Sequence, residues 1–309
     1  MAQPRLFRLG TRQSPLAMVQ AREAAARLCA AHGWEEDSVE LVPVRASGDR
    51  IQDRALADIG GKALWTKELD QWLHEGRIDA AVHSAKDVET VRPATLVFGA
   101  VLEREDVADR LLGARSIRAL PRGAVVGTSA PRRAAQLLNR RSDCRIVLLR
   151  GNVASRMAKL AAGEVDATFL AEAGLSRLGE AGVGVRLSPD DWLPAPGQGA
   201  IAVECRANDT SARDLLSAID HARTHDELRA ERALLEGLGG SCHSAVGAVS
   251  SWRDGELHLR AAIFSIDGAR RIEDACAFAP DDRAAPAMLA RALLAAAPPL
   301  VRIAFAGPA

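Results

Sequence analysis

Over about its first 200 residues the chain keeps switching between two hydrophobic periodicities, and this alternation limits its fold more than any other feature. "RLFRLGT" reads as a strand, and "LAMVQAREAAARLCAAHG" as a helix that stops near Gly33. Ser14 and Pro15 open that helix as N-cap and first-turn residue. "VELVPVRA" is a strand, "KALWTKELDQWLHEG" an amphipathic helix ending near Gly76, and "IDAAVHSA" and "TLVFGAVL" are strands. A second round follows in "GAVVGTS", "PRRAAQLLNRR", "CRIVLLR", "VASRMAKLAAG" and "VDATFLA". Strand–helix–strand repetition requires crossover connections, hence an α/β layer with a largely parallel sheet. Two rounds predict two similar α/β lobes. The Pro- and Gly-rich "WLPAPGQGAIAVECR" reads as a hinge or crossing that ends in a strand. From about Asp220 a helix, "THDELRAERALLEGLGG", leads into three antiparallel strands and a C-terminal core helix followed by a short strand. This is a smaller α+β domain. The expected division is 1–100 with 199–217, 105–195 and 220–309.

The 309 residues carry no net charge, with 48% hydrophobic and 26% charged side chains. A balanced charge argues against a nucleic-acid or membrane-surface binder, which would show a basic stripe. "MAQPRLFRLGTRQSP" has no secretory pattern, and no apolar run approaches the roughly 20 residues of a membrane span. The five cysteines, Cys29, Cys144, Cys205, Cys242 and Cys276, are widely spaced without a C-x-x-C. That fits a reducing cytoplasm and argues against a disulfide framework or a metal site. Among many arginines only Lys62, Lys67, Lys86 and Lys159 are lysines, which hints at positions that need an ammonium.

Three strand-to-helix junctions share one design. "GTRQSP" carries Arg12 and Ser14, "GTSAPRR" carries Thr128, Ser129, Arg132 and Arg133, and "LRGNVASR" carries Arg150, Asn152 and Arg156. Each joins backbone N–H groups at a helix N-terminus to arginine, a combination suited to carboxylate or phosphate. Any single junction is equally an ordinary capped helix; three in two adjacent lobes point to a ligand with several negative groups. "GDRIQDRALADIGGKALWTKE" is a glycine-bearing loop with Lys62 at the helix start, readable as a mobile lid or a plain surface loop. In "DAAVHSAKDVET" strand alternation puts His83 and Asp87 on one face and Ser84 and Lys86 on the other. Asp87 is a proton-transfer candidate or a turn cap; Ser84 with Lys86 is a weak nucleophile pair without an elbow motif. Cys242, after Gly239, Gly240 and Ser241, lies on a turn and is either a reactive thiol or a bland turn cysteine.

Taken together, "LGTRQSPLAMVQA", "GDRIQD…GGKALWTKEL", "AAVHSAKDV", "GTSAPRRAAQL", "LRGNVASRM", "AGLSRLG", "PAPGQGAIAVE" and "ERALLEGLGGSC" resemble the porphobilinogen deaminase (hydroxymethylbilane synthase) family in order and spacing, over nearly the whole chain. The resemblance implies two lobes similar to those of periplasmic binding proteins, with the chain returning to the first lobe after "PAPGQGA", and a third domain bearing a cysteine. That cysteine, Cys242 here, would hold a dipyrromethane cofactor through a thioether. The implied reaction joins four porphobilinogens head to tail with loss of ammonia, and water then releases the linear tetrapyrrole, which passes to uroporphyrinogen-III synthase. A cytoplasmic monomer is implied. Arg12, Ser14, Lys86, Thr128, Ser129, Arg132, Arg133, Arg150, Arg156 and Arg177 match positions that hold pyrrole carboxylates, and Lys62 a basic residue of the mobile loop. Asp87 matches the catalytic aspartate, which would stabilise the cationic pyrrole beside its N–H; Ser84 would donate a hydrogen bond.

The chain departs from the family pattern at Asp58, where lysine is common, at Glu89, where proline is usual, and in "SCHSAVGA". Two other readings stand beside this one. A two-lobed binding protein explains the anion junctions but not a turn cysteine or Asp87 among arginines. A Ser–Lys hydrolase lacks an elbow or oxyanion motif.

Overall fold

The computed structural model describes residues 6–44, 66–180, 182–241 and 243–305. The described elements begin with β1 (Phe7–Arg12), α1 (Pro15–His32), β2 (Val39–Val44), α2 (Lys67–His74), β3 (Ala80–Ser84) and β4 (Leu96–Val101). Next come β5 (Asp109–Leu112), β6 (Val125–Gly127), α3 (Pro131–Arg140), β7 (Arg145–Val147), α4 (Val153–Ala161), β8 (Ala167–Ala171), α5 (Glu172–Arg177) and β9 (Val185–Arg186). The chain ends with β10 (Ile201–Arg206), α6 (Thr210–Ser217), α7 (Ala222–Gly237), β11 (Val246–Arg253), β12 (Glu256–Phe264), β13 (Arg271–Phe278), α8 (Ala285–Ala296) and α9 (Pro299–Arg302).

The chain divides into two compact units. In the first, drawn from residues up to 104 and from 199–225, a sheet runs in the order β2-β1-β3-β10-β4. β1, β2 and β3 are parallel, and β10 is antiparallel to both its neighbours. The second unit holds a sheet in the order β7-β6-β8-β5-β9, with β6, β7 and β8 parallel and β5 antiparallel to β8 and β9. The two sheets share one plan. Three parallel strands are wound by helices, and the next strand, β10 or β5, runs against them. β10 follows "PAPGQGA", so the strand after that segment belongs to the first sheet. The second unit also holds the antiparallel sheet β11-β12-β13, packed by α7 and α8 around Leu234, Leu259, Ile263 and Leu293. This α+β part joins the second sheet's layer through Ala135, Leu193, Ala262 and Phe264.

Local chemistry accounts for these elements. Ser14 caps α1, its hydroxyl accepting from the Ala17 N–H at 3.3 Å, and Gly33 closes it at φ 64°. Gly10 within β1 and Gly127 at the end of β6 sit where neighbouring branched side chains press close. A Cβ on Gly10 would fall 2.4 Å from Ile78 Cδ1, and one on Gly127 2.7 Å from Leu149 Cδ2. Each close approach buries branched side chains worth about 1.5–3 kcal/mol apiece.

Three sequence expectations need correction. β3 ends at Ser84, and Ala85–Asp87 form a 3-10 turn, so strand alternation does not extend to Asp87. The expected C-terminal strand is instead α9 and a 3-10 turn over Ile303–Phe305, because Pro299 suits a helix start. The short β5 and β9 and helices α5 and α6 lie where no element was expected. Among the described residues, no helix is long and apolar enough to cross a membrane.

Candidate active site

In the first unit the C-terminal ends of β1 and β3 and the N-terminus of α1 converge on a pocket. Arg12, Ser14, Ala17, Gln20, His83, Ser84 and Asp87 are among its lining residues. Strand ends and a helix N-terminus form the usual ligand position of an open α/β sheet. Arg12 Nη1 stands 4.0 Å from Asp87 Oδ2, with the Arg12 side chain 20% and the Asp87 side chain 39% exposed. The carboxylate thus faces both a cation and solvent. Ser84 is fixed by Gln20, a buried residue of α1: Gln20 Nε2 donates to Ser84 Oγ at 2.9 Å, and Ser84 Oγ donates to Gln20 Oε1 at 3.0 Å. Ser84 lines the same pocket as His83, which alternation had put on opposite faces; β3 stops there and the chain turns. Lys86 is half-buried on the turn beside Asp87.

Behind the pocket lies Glu204 of β10, fully buried, with its Oε2 3.5 Å from His83 Nε2 and 2.6 Å from Arg92 Nη2. Burial alone would raise the Glu204 pKa, but the hydrogen bonds of Arg92 and the nearby His83 imidazole outweigh it and lower the carboxyl to about 2.

The second unit gathers the other two anion junctions. Arg156 Nε donates to the Gly151 carbonyl at 3.0 Å, and its Nη2 lies 3.5 Å from Ser129 Oγ. Asn152 caps α4 by accepting from the Ser155 N–H. Ala130, at the N-cap of α3, offers no side-chain acceptor, so the first turn of α3 has no side-chain cap. Arg150 is buried, and Arg177 is the last residue of α5.

Arg132 and Arg133 lie at the start of α3 and are both buried around Asp109, which no sequence signal had singled out. Arg132 Nη1 donates to Asp109 Oδ2 at 2.8 Å, and Arg133 Nη2 donates to Oδ1 at 2.7 Å. Trp192 Nε1 and Gln198 Nε2 donate to the same carboxylate at 2.8 and 2.9 Å. Burial pushes the Asp109 pKa up, but the two guanidiniums overcome it and hold the carboxyl far below the usual range. Two cations thus face one anion in this buried cluster of the second unit.

Lys62 and Cys242 lie outside the described residues, as does Asp58. The neighbours of Cys242 form a turn in which the Ser244 N–H donates to the Ser241 carbonyl at 3.0 Å.

Comparison with known proteins bears on this geometry. Residues 7–214 match the family model described as "Porphobilinogen deaminase, dipyromethane cofactor binding domain", and residues 226–293 match "Porphobilinogen deaminase, C-terminal domain". The porphobilinogen deaminase of Sphingopyxis alaskensis is 56% identical over 306 residues, covering 97% of this chain and 96% of the relative. That of Xanthomonas campestris pv. campestris is 46% identical over 278 residues, covering 89% and 91%. Solved structures with some likeness include the BvgS VFT2 domain of Bordetella pertussis, 18% identical, TM-score 0.43, covering 74% of this chain and 91% of the other. Another is the aliphatic sulphonate binding protein SsuA of Escherichia coli, 16% identical, TM-score 0.41, covering 76% and 70%.

Most of the chain is therefore a dipyrromethane cofactor-binding domain, followed by its dedicated C-terminal domain. The chain belongs to the porphobilinogen deaminase family.

Proposed function

We propose that the chain is a transferase that condenses four porphobilinogen molecules head to tail, releasing ammonia each time, and that hydrolysis releases hydroxymethylbilane for uroporphyrinogen-III synthase. The reading divides it into lobes 1–100 with 199–217 and 105–195, and a domain 220–309 whose Cys242 holds a dipyrromethane through a thioether. It acts as a cytoplasmic monomer. The cofactor, when bound, supplies the nucleophilic pyrrole from which the product grows.

The pairing of a solvent-facing Asp87 with Arg12 carries the mechanistic reading. Loss of ammonia leaves positive charge on a pyrrole, and the Asp87 carboxylate stabilises it at the ring N–H and accepts the proton that must leave. Arg12, Ser14 and the α1 N-terminus hold substrate carboxylates, and Lys86 adds a second cation. Ser84 turns its one hydroxyl hydrogen from Gln20 Oε1 to the ligand, while Gln20 Nε2 keeps hold of its oxygen. Thr128, Ser129, Arg132 and Arg133, with Ser84, Lys86 and Asp87, bind the cofactor, and Arg150, Arg156, Arg177 and Lys62 bind substrate carboxylates. A carboxylate-bearing group fits here on an observation of its own: Arg132 Nε is buried without a hydrogen-bond partner, beside a helix start that lacks a side-chain cap.

The test is to supply purified protein with porphobilinogen and follow ammonia and linear tetrapyrrole. Stoichiometric release of both supports the transferase. Tight pyrrole binding without ammonia release favours the two-lobed binding protein.

A further inference from the structure

Past the turn that carries Asp87, the chain runs into a charge cluster that plays no part in the chemistry above. Arg92 is its centre. Its Nη2 donates to Asp70 Oδ1 and to Glu204 Oε2, each at 2.6 Å, and its Nε to Glu204 Oε1 at 2.9 Å. Its Nη1 donates to Glu89 Oε2 at 2.7 Å. The Thr66 hydroxyl bonds the same Glu89 oxygen at 2.9 Å. Asp70 belongs to α2, Glu204 to β10, and Glu89 lies two residues beyond Asp87. The Arg92 side chain is only 10% exposed.

One guanidinium drawn against three carboxylates is poor design for stability alone, since each buried carboxylate carries a desolvation cost. It is good design for fixing direction, because the planar fork accepts only a narrow set of partner geometries. The segment is also held at its other end, where the Ala85 N–H donates to the Ala200 carbonyl at 3.0 Å. Asp87 thus sits between two anchors, its own carboxylate turned to solvent and Arg12. Glu204, gripped by Arg92, also faces His83 in the pocket wall. Where the family resemblance calls for proline after the aspartate, this chain has Glu89. A proline would restrict the turn through its ring; Glu89 restricts it through Thr66 and Arg92.

We propose that Arg92, acting with Glu89 and Glu204, is a positioning residue that locks the Asp87 turn and the His83 wall of the pocket. The kinetic part of this proposal rests on the transferase reading; the structural part does not.

The test compares holoenzyme of wild type, Arg92→Leu, Arg92→Lys and Glu89→Gln by hydrogen exchange and by porphobilinogen turnover. In Arg92→Leu, amides of residues 85–91 exchange about ten-fold faster while those of β11–β13 keep their wild-type rates, as expected for a local opening. Turnover drops about ten-fold with KM within about two-fold, the signature of lost orientation rather than lost binding. Arg92→Lys recovers part of both effects. Should Arg92→Leu fail to fold, Glu89→Gln, which keeps the Thr66 bond, shows the same local pattern at about three-fold. Unchanged exchange at 85–91, or an equal rise across the whole chain, overturns the proposal. A wild-type enzyme that consumes no porphobilinogen overturns the transferase reading instead, and the exchange data still decide whether the clamp exists.

Discussion

Arg12 ends β1 and Asp87 lies on the 3-10 turn after β3, yet their charged ends stand 4.0 Å apart in the pocket beside the start of α1. Arg12 stands beside the carboxylate without covering it. Asp87→Asn keeps shape and removes charge. It is expected to melt within a few degrees of wild type and to lose about 10²-fold or more in turnover, the usual scale for removing a charge-stabilising group. Porphobilinogen consumption and thermal melting check this; near wild-type turnover would take Asp87 out of the chemistry.

A larger stability effect is expected at Asp109. Its carboxylate takes hydrogen bonds from Arg132, Arg133, Trp192 and Gln198. Asp109→Asn leaves two buried guanidiniums with no anion, and breaking a buried pair costs about 3–5 kcal/mol. Urea unfolding at pH 7 reads the loss. A change under about 1 kcal/mol would mean that the arginines find another anion or open to water.

Glu204 ties stability to acid. Its folded pKa is about 2 against an ordinary 4.5. A depressed carboxyl contributes its stability above the unfolded value and loses it as pH falls through the folded one. The contribution, about 3 kcal/mol, is complete above pH 4.5 and declines from there toward pH 2. Unfolding free energies at pH 6, 4 and 3 should show this fall in wild type and a shallower one in Glu204→Gln. Equal slopes would show that Glu204 is not held ionised.

Much of the fold was legible because apolar periodicity drives it. Every strand of the two parallel cores was readable, as were the Ser14 and Asn152 caps and the helix opening at Pro131. The four-residue β5 and two-residue β9 were not, since so short a run has no period to detect. Arg12, Ser14, Ser84 and Asp87 stood out in their motifs, and the structure brings them to one pocket. Their partners did not. Asp109 stands beside Arg110 in an ordinary "ADRLL" and meets arginines more than 20 residues on, a contact only the tertiary fold creates. Glu204 did leave a trace: a lone acid in "IAVEC", amid a strand otherwise apolar, needs a buried cation. Gln20 on the buried face of α1 was a similar, weaker trace.

The central claim is that Cys242 carries the pyrrole primer, and the intact mass of the denatured protein with a peptide map around Cys242 tests it most directly. Wild type, as purified or after exposure to porphobilinogen, should show a mass excess equal to two linked pyrrole units on the Cys242 peptide, and Cys242→Ser should show none. A wild-type chain that stays unmodified after exposure to porphobilinogen, or an adduct that persists in Cys242→Ser, would contradict the account.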